Sequence, residues 1–197
     1  MKVLVIGGFL GTGKTTLLMH IARELIGRSL KIAVIENEVG DIGVDNQYLE
    51  LEGINVQELY GGCVCCVLKG SLLSMLDKIE TAINPDWVLL EPSGVASPDD
   101  LAATVRTSAN KLTAVKIVNL LDAPRFFDLE SILEPMVHGY ILCADTVVIN
   151  KIDEVDEIML AEIRNKVESI KPGTNVVAIC ADSGANVLAL IDSIVTP

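Results

Sequence analysis

Residues 8–15 match a pattern that binds nucleotide phosphates. The segment GFLGTGKT fits G-x-x-x-x-G-K-[ST] at every fixed position, after an apolar run and before a helical one. Glycines let backbone N–H groups converge on phosphate oxygens, and the helix N-terminus adds its positive end. Lys14 supplies a charge for the outer phosphates, as a catalytic group, and the Thr15 hydroxyl can bind Mg²⁺. We expect phosphate contacts from Gly8, Gly11, Thr12, Gly13, Lys14, Thr15 and Thr16.

A nucleotide–Mg²⁺ site also needs a carboxylate at the end of a neighbouring strand. Glu91 closes the run DWVLLE and is followed by PSG, so we predict that it is catalytic and serves Mg²⁺, with the Gly94 N–H facing the γ-phosphate. Asp122, which closes AVKIVNLLD, is the competitor. Glu36 is a further candidate Mg²⁺ ligand, in a loop over 36–47 whose glycines suit a switch segment. Ordinary solvated carboxylates are the alternative in each case.

The sequence Asn150-Lys151-Ile-Asp153 follows the apolar run TVVIN and is similar to the N-K-x-D element of GTPases. A carboxylate at Asp153 can accept both the ring N–H and the exocyclic amine of guanine. Adenine has the opposite edge polarity and would leave that carboxylate unpaired, which is costly. We therefore predict a GTP site that includes Asn150, Lys151 and Asp153, with the backbone N–H of Ala181 capping the base.

Three of the five cysteines lie in GGCVCC, at Cys63, Cys65 and Cys66. Neighbouring thiolates suit a soft ion such as Zn²⁺, Ni²⁺, Co²⁺ or Cu(I), and three ligands leave one coordination position open. Two other interpretations stay open: small apolar residues packed under a loop, or a redox pair of Cys63 and Cys66 in C-x-x-C spacing. We expect Cys143 and Cys180 to be core residues.

Composition limits the classes of partner. The chain of 197 residues is 50% hydrophobic but only 4% aromatic, so its core must be aliphatic. The formal net charge is −12. Because like charges repel, we expect neither a nucleic-acid partner nor a membrane-surface partner. A phosphate ligand remains compatible, since local N–H groups and a lysine can outweigh the global field.

The first residues are relevant to the cellular compartment that we expect for this chain. MKVLVIGGFLG faintly resembles a signal peptide but runs directly into GTGKTT without a small-residue cleavage pattern. No stretch approaches the roughly 18 uninterrupted apolar residues of a membrane span. We therefore expect a cytoplasmic protein, in which clustered cysteines bind metal or do redox work more often than they form disulfides.

Strand and helix patterns alternate from end to end. Period-two or continuous apolar runs predict strands, and spacings of three and four residues predict the helices between them. The segment 123–143 is mixed and is predicted to be helical in part. This alternation is typical of an α/β fold with a doubly wound, mostly parallel sheet. We predict about seven strands, at 2–6, 31–36, 54–59, 86–91, 114–122, 146–150 and 175–180.

Taken together, these motifs resemble the CobW/UreG/HypB family of metallochaperone GTPases. The glutamate-rich loop and the GCxCC motif are most similar to the CobW branch. The resemblance implies a single P-loop GTPase domain over residues 1–197 that delivers a divalent transition metal. The matching segments, in the order of the family, are 7–18, 36–45, 61–66, 91–98, 119–123 and 150–153.

The resemblance also implies the partners. Cys63, Cys65 and Cys66 would ligate the transition metal, with zinc first and cobalt or nickel as alternatives. Hydrolysis of GTP by the chain alone would be slow, with nucleotide and metal controlling a homodimer. The client would be a metalloenzyme or a protein of a cobalamin-related (corrinoid) pathway. Two other functions stay open: a zinc-bridged regulatory or dimerisation module with vestigial hydrolysis, and an ATP-dependent small-molecule kinase.

Overall fold

A computed structural model describes residues 1–36, 55–58, 68–92, 98–107 and 112–195. Several predicted features lie outside these residues. They are the cysteine motif with Cys63, Cys65 and Cys66, the γ-phosphate donor Gly94, and the predicted switch segment beyond Glu36.

Strands and helices alternate in the described residues, as the sequence predicts. The strands are β1 Lys2–Gly8, β2 Ile32–Glu36, β3 Asn55–Glu58, β4 Trp87–Glu91, β5 Ala114–Asp122, β6 Thr146–Asn150 and β7 Asn175–Ala178. The helices are α1 Lys14–Gly27, α2 Leu68–Ile83, α3 Pro98–Thr107, α4 Phe126–Cys143, α5 Glu157–Ile170 and α6 Val187–Val195, with a 3₁₀ turn at Ile152–Glu154.

In the described part of the chain, the strands form one parallel sheet in the order β3-β2-β4-β1-β5-β6-β7. The first strand therefore lies in the middle, between β4 and β5. Crossover helices are needed between parallel neighbours, so the helices cover both faces. The predicted fold class, a doubly wound and mostly parallel α/β sheet, is confirmed. All carboxyl ends of the strands, and hence the predicted nucleotide residues, lie at one edge.

Alternate side chains of β1 enter two different apolar layers. Leu4 and Ile6 are fully buried in a cluster formed with α1 and α6, while Val3 and Val5 are fully buried with α2 and α3. A third cluster packs α4 and α5 against β6. Burial of aliphatic side chains on both faces explains why these strands read as continuous apolar runs. The central strand is thereby fixed, and the loop that follows it starts from a rigid position.

The segment predicted as mixed is helix α4, which has a bend inside it. Leu133 departs from helical geometry, with φ −125° and ψ 35°, and Pro135 follows two residues later. Proline lacks a backbone N–H and its ring clashes with the preceding turn, which accounts for the bend. The bend also explains the weak helical periodicity of this segment. Among the described residues, no helix combines the length and apolar character required to cross a bilayer.

Candidate nucleotide site

The loop of residues 8–15, here called the P-loop, connects the central strand to α1. The carbonyl oxygen of Phe9 accepts three hydrogen bonds: from the Thr12 backbone N at 3.3 Å, from Thr12 Oγ1 at 2.9 Å and from Lys14 Nζ at 3.1 Å. Thr12 is fully buried and Lys14 is nearly so. The loop is therefore closed by its own side chains, and Lys14 lies across it.

A glycine is required at position 13 because the side chain of Asn150 packs against it. Its φ is +91°, a conformation that favours glycine. A Cβ atom at this position would lie only 2.4 Å from Nδ2 of Asn150. The same Nδ2 donates to the carbonyl oxygen of Thr12 at 2.8 Å. The second glycine of the motif thus makes room for the asparagine that binds the loop.

Glu91 contacts the P-loop directly. It closes β4, which pairs with β1, and its Oε1 accepts a hydrogen bond from Thr15 Oγ1 at 3.0 Å. Glu36 is the register partner of Glu91 in the adjacent strand β2. A hydroxyl and a carboxylate at hydrogen-bond distance are hard oxygen donors of the kind that Mg²⁺ binds. The residues present therefore fit the Mg²⁺ ion of a nucleotide.

Asp122, the competing carboxylate, lies on the opposite side of β1 and holds two cations. Its Oδ2 accepts from Arg125 Nη2 at 2.7 Å and Nε at 3.0 Å, and lies 2.8 Å from Lys151 Nζ. Burial alone would raise the pKa of Asp122, but the hydrogen bonds from Arg125 and Lys151 outweigh it and leave that pKa below its ordinary value. The two cations neutralise this carboxylate, and Glu91 is the acid that contacts Thr15.

Asn150 ties the P-loop to the segment after β7. Its side chain is 2% exposed, and while Nδ2 binds Thr12, its Oδ1 accepts the backbone N–H of Ala181 at 2.9 Å. The N–H of Ala181 that the sequence analysis assigned to the base is thus used inside the protein. The carbonyl of Ala181 is bound by His20 Nε2 of α1 at 2.8 Å, which requires the Nε2–H tautomer. Asn150 and His20 hold this segment next to the P-loop.

Lys151 and Asp153 complete the segment after β6. Lys151 adopts a left-handed conformation, with φ 63°, and turns its side chain to Asp122. Asp153 lies in the 3₁₀ turn Ile152–Glu154 and is exposed. Because Asn150 places this turn beside the P-loop, an exposed carboxylate is available at the position where the N-K-x-D pattern predicts guanine.

A His/Glu group lies outside this site, on α4. Ligand atoms of Glu130, Glu134 and His138 lie within 4.8 Å of one another. Glu130 Oε1, however, is 3.0 Å from Lys166 Nζ and 3.1 Å from His138 Nε2. The hydrogen bond from Lys166, opposed by some desolvation and helped by His138, lowers the pKa of Glu130. These contacts form an ion-pair network between α4 and α5.

The two cysteines outside the motif, Cys143 and Cys180, were predicted to be core residues. Cys180 is buried, and Cys143 is half-buried against an apolar cluster. Burial raises the pKa of the Cys143 thiol, and the hydrogen bond from Asn119 opposes that shift only in part. Cys143 therefore lacks the low-pKa setting of a reactive thiol.

Arg125 is the residue of this site that the sequence analysis did not identify. Its Nη2 donates to the carbonyl oxygen of Leu10 in the P-loop at 3.1 Å, in addition to binding Asp122. The available signal was the spacing Asp122-Ala-Pro-Arg125 directly after a strand, which lets a carboxylate and a guanidinium meet across a tight turn.

Comparisons with known proteins show which family this chain is similar to. The family model for the CobW/HypB/UreG nucleotide-binding domain matches residues 2–178. Zinc chaperone CobW of Sinorhizobium sp is 31% identical over 84% of this chain and 54% of its own length. Zinc-regulated GTPase metalloprotein activator 1 of Schizosaccharomyces pombe is 31% identical over 85% of this chain and 43% of its own length. The chain thus spans about half the length of these relatives.

A solved structure supports the fold. The hydrogenase maturation factor HypB from Archaeoglobus fulgidus superposes with a TM-score of 0.74, covering 98% of this chain and 88% of that one, at 19% identity. At that identity the likeness bears on the fold alone. The family match extends over nearly all of the described residues, including the P-loop and the segment 150–153. The chain therefore belongs to the CobW/HypB/UreG family of nucleotide-binding proteins.

Proposed function

We propose that this chain is a GTP-hydrolysing metallochaperone domain, formed by residues 1–197, that passes a transition metal to a client protein. The observation on which the proposal depends is the pair of contacts made by the P-loop. Thr15 binds Glu91 on one side, and Thr12 binds Asn150 on the other. One loop thus connects the residues suited to Mg²⁺ with the residues suited to guanine.

Guanine selection is assigned to the segment after β6. Asp153 offers an exposed carboxylate that can accept two N–H groups of guanine, whereas adenine presents an acceptor there and leaves the carboxylate unpaired. Asn150 has both ends of its amide bound within the chain, so we assign it a bracing role. The side chain of Lys151 forms an ion pair with Asp122, the last residue of β5.

Hydrolysis is assigned to the P-loop and Glu91. Lys14 and the backbone N–H groups at the start of α1 bind and neutralise the outer phosphates. Thr15 and Glu91, together with Glu36, would hold the Mg²⁺ ion, which supplies charge stabilisation for phosphoryl transfer. As the resemblance to metallochaperone GTPases implies, we expect slow hydrolysis by the chain alone.

The cargo is assigned to the cysteine motif. Cys63, Cys65 and Cys66 offer three soft ligands and leave a position from which a receiving protein can take the ion. The relatives named zinc chaperone and zinc-regulated GTPase metalloprotein activator support zinc as the first choice over cobalt or nickel. The same names support a metalloenzyme as client, and a nucleotide-controlled homodimer is part of the proposal.

Thermodynamic linkage provides the test. If metal at the cysteine motif and GTP are coupled, each must change the affinity for the other by the same factor. GTP–Mg²⁺ binding is measured by calorimetry with and without one equivalent of Zn²⁺, in the wild type and in a Cys63/Cys65/Cys66→Ser variant. We expect Zn²⁺ to change the GTP affinity about fivefold or more in the wild type, within the usual range of allosteric coupling, and to have no effect in the triple variant.

A matched control uses a cysteine outside the motif. Cys143→Ser should retain the coupling of the wild type, since this half-buried thiol is placed in a core cluster. Equal GTP affinity with and without Zn²⁺ in the wild type would refute the coupling. ATP binding as tightly as GTP would favour a small-molecule kinase, and Zn²⁺-dependent dimerisation without phosphate release would favour a zinc-bridged module.

A further inference from the structure

One buried carboxylate connects the two halves of the nucleotide site. The Asp122 side chain is 1% exposed, and its Oδ2 lies 2.7 Å from Arg125 Nη2 and 2.8 Å from Lys151 Nζ. Lys151 belongs to the segment assigned to guanine, whereas Arg125 lies against the P-loop. A buried carboxylate that pairs with two cations is strongly restrained, because losing it would leave two neighbouring positive charges without their counter-ion.

Arg125 also binds the P-loop, through the same nitrogen that contacts Asp122. Nη2 donates to the carbonyl oxygen of Leu10 at 3.1 Å, and a Cβ atom at Gly11 would lie 3.3 Å from Nη2 and 3.9 Å from Nη1. The side chain is 46% exposed, and within the described residues Nη1 makes no hydrogen bond. A cation with a donor to spare therefore lies alongside the outer turn of the loop.

Within the described residues, that outer turn is less enclosed than the rest of the loop. Leu10 is 83% exposed and Gly11 has a φ of +77°. The inner part of the loop, by contrast, is closed by Thr12, Lys14 and the Phe9 carbonyl. Backbone donors stabilise developing charge only if they are oriented beforehand, since reorienting them costs free energy during the reaction. A contact that restrains Leu10 and Gly11 is therefore a contact that affects the reaction.

We propose that Arg125 is a positioning residue for GTP hydrolysis and that Asp122 couples the outer turn of the P-loop to the guanine-binding segment. Arg125 holds the turn of Leu10 and Gly11, and adds a positive charge next to phosphates in a chain whose net charge is −12. Asp122 fixes Arg125 and Lys151 together. This inference rests on the proposed GTPase function and adds two residues to it.

Steady-state kinetics test the role of Arg125. Phosphate release from GTP is measured with the full chain as wild type, Arg125→Gln and Arg125→Lys. We expect Arg125→Gln to lower kcat about tenfold while KM changes less than about threefold, because the guanine contacts remain. Arg125→Lys should give an intermediate kcat, since lysine keeps the charge but lacks the planar fork that reaches Asp122 and Leu10 together.

Arg28 provides a matched control. It is also an ion-paired arginine, with Nε 2.8 Å from Glu24 and Nη2 2.5 Å from Asp192, but it lies at the far end of α1. Arg28→Gln should leave both kcat and KM within about twofold of the wild type. A loss of kcat in Arg125→Gln that Arg28→Gln does not reproduce supports the proposal. An equal loss in both variants would overturn it, as it would reflect general destabilisation.

Asp122→Asn tests the coupling. It should lower kcat and raise KM, because Arg125 and Lys151 are released together. The double variant Asp122→Asn/Arg125→Gln should be no slower than Asp122→Asn within about twofold, since the two residues act as one unit. Independent, multiplicative losses would refute the coupling.

Failure of this inference differs from failure of the proposed function. A wild type that neither binds nor hydrolyses GTP refutes the function, whereas a wild type that hydrolyses GTP with Arg125→Gln at the same kcat refutes only the role of Arg125. If circular dichroism shows Arg125→Gln to be unfolded, Arg125→Lys decides, because it keeps a cation for Asp122. Its kcat must then fall at least about threefold, and a wild-type kcat would overturn the proposal.

Discussion

The two strands that flank the central strand both end in a carboxylate, but the two carboxylates have different partners. β4 and β5 both pair with β1, and they end at Glu91 and Asp122. Glu91 accepts a hydrogen bond from the hydroxyl of Thr15. Asp122 binds the guanidinium of Arg125 and the ammonium of Lys151. Asp122 therefore has its charge compensated within the protein, whereas Glu91 contacts the hydroxyl that we propose as its partner in holding Mg²⁺.

The difference arises from the residues that follow each strand. After Glu91 the sequence continues with Pro-Ser-Gly, which contains no cation, whereas Ala-Pro-Arg after Asp122 returns a guanidinium within three residues. The neighbouring strand β6 then contributes Lys151. The residues directly after β5 thus supply one of the two cations that bind Asp122, and the residue after β6 supplies the other.

The largest expected effect concerns Glu91. Glu91→Gln keeps an oxygen that can accept from Thr15 but removes the charge that suits Mg²⁺. We expect kcat for GTP to fall about a hundredfold, the scale of losing one group that stabilises the transition state. Phosphate release under saturating GTP–Mg²⁺ measures the effect.

Stability separates Glu91 from Asp122 in this experiment. Because the hydrogen bond to Thr15 can be retained, thermal unfolding of Glu91→Gln should differ little from that of the wild type. If Glu91→Gln lost much stability but kept the wild-type kcat, Glu91 would have a structural role like that of Asp122, and the prediction would be wrong.

Asp122→Asn should produce the next largest effect, and the main change should be a lower free energy of unfolding. Removing the charge leaves two cations facing a neutral amide, which we expect to cost about 2 kcal/mol in the free energy of unfolding at neutral pH. Because the folded-state pKa of Asp122 is lowered, its contribution is fully present above the ordinary value of 3.8 and is lost as the pH falls through the folded-state pKa. Urea unfolding at several pH values measures it.

The pH dependence gives this prediction its control. The difference between wild type and Asp122→Asn should be constant from pH 7 down to pH 5 and shrink only below 3.8. A difference that grows with acidity would contradict the lowered pKa, and with it the role of Asp122 as an ionised anchor for Arg125 and Lys151.

The smallest expected effect concerns Asp153, a third acid, which follows β6 and is exposed. Asp153→Asn replaces a double acceptor with a group that also donates, so GTP affinity should fall about tenfold, or about 1.4 kcal/mol. Xanthine nucleotide should bind better, since its carbonyl can accept from the new amide. Competition binding measures both.

Asp156 is a nearby control for this variant. Its Oδ1 caps α5 by accepting from the backbone N of Met159 at 2.8 Å, a role that asparagine also performs. Asp156→Asn should leave the preference for GTP unchanged. An equal shift in both variants would argue against a direct contact between Asp153 and guanine.

Much of the fold could be predicted from the sequence because its signals are local. Residues 114–122 and 146–150 are strands with the bounds that their apolar runs predict. The fold class and the resemblance to the CobW/HypB/UreG family are confirmed. The assignments of nucleotide and metal residues stay predictions, and those on Cys63, Cys65 and Cys66 lie outside the described residues.

The features that the sequence could not predict depend on contacts between distant residues. Nothing in the local pattern around Gly13 indicates that its missing Cβ makes room for Asn150. The local pattern Asp122-Ala-Pro-Arg125 indicates one cation for Asp122, but the second cation, Lys151, follows another strand and is not indicated by that pattern. The bend in α4 was also missed, since Pro135 interrupts the periodicity that identifies a helix.

The central position of the first strand has a consequence for the order of events during synthesis. β1 is synthesised well before its neighbours β4 and β5, which begin only at Trp87 and Ala114. The hydrogen bond that braces the P-loop joins Thr12 to Asn150, 138 residues later. Folding must therefore wait for distant partners, which slows it and leaves an aliphatic strand uncovered meanwhile. A nascent chain can brace the P-loop in this way only after Asn150 has been made.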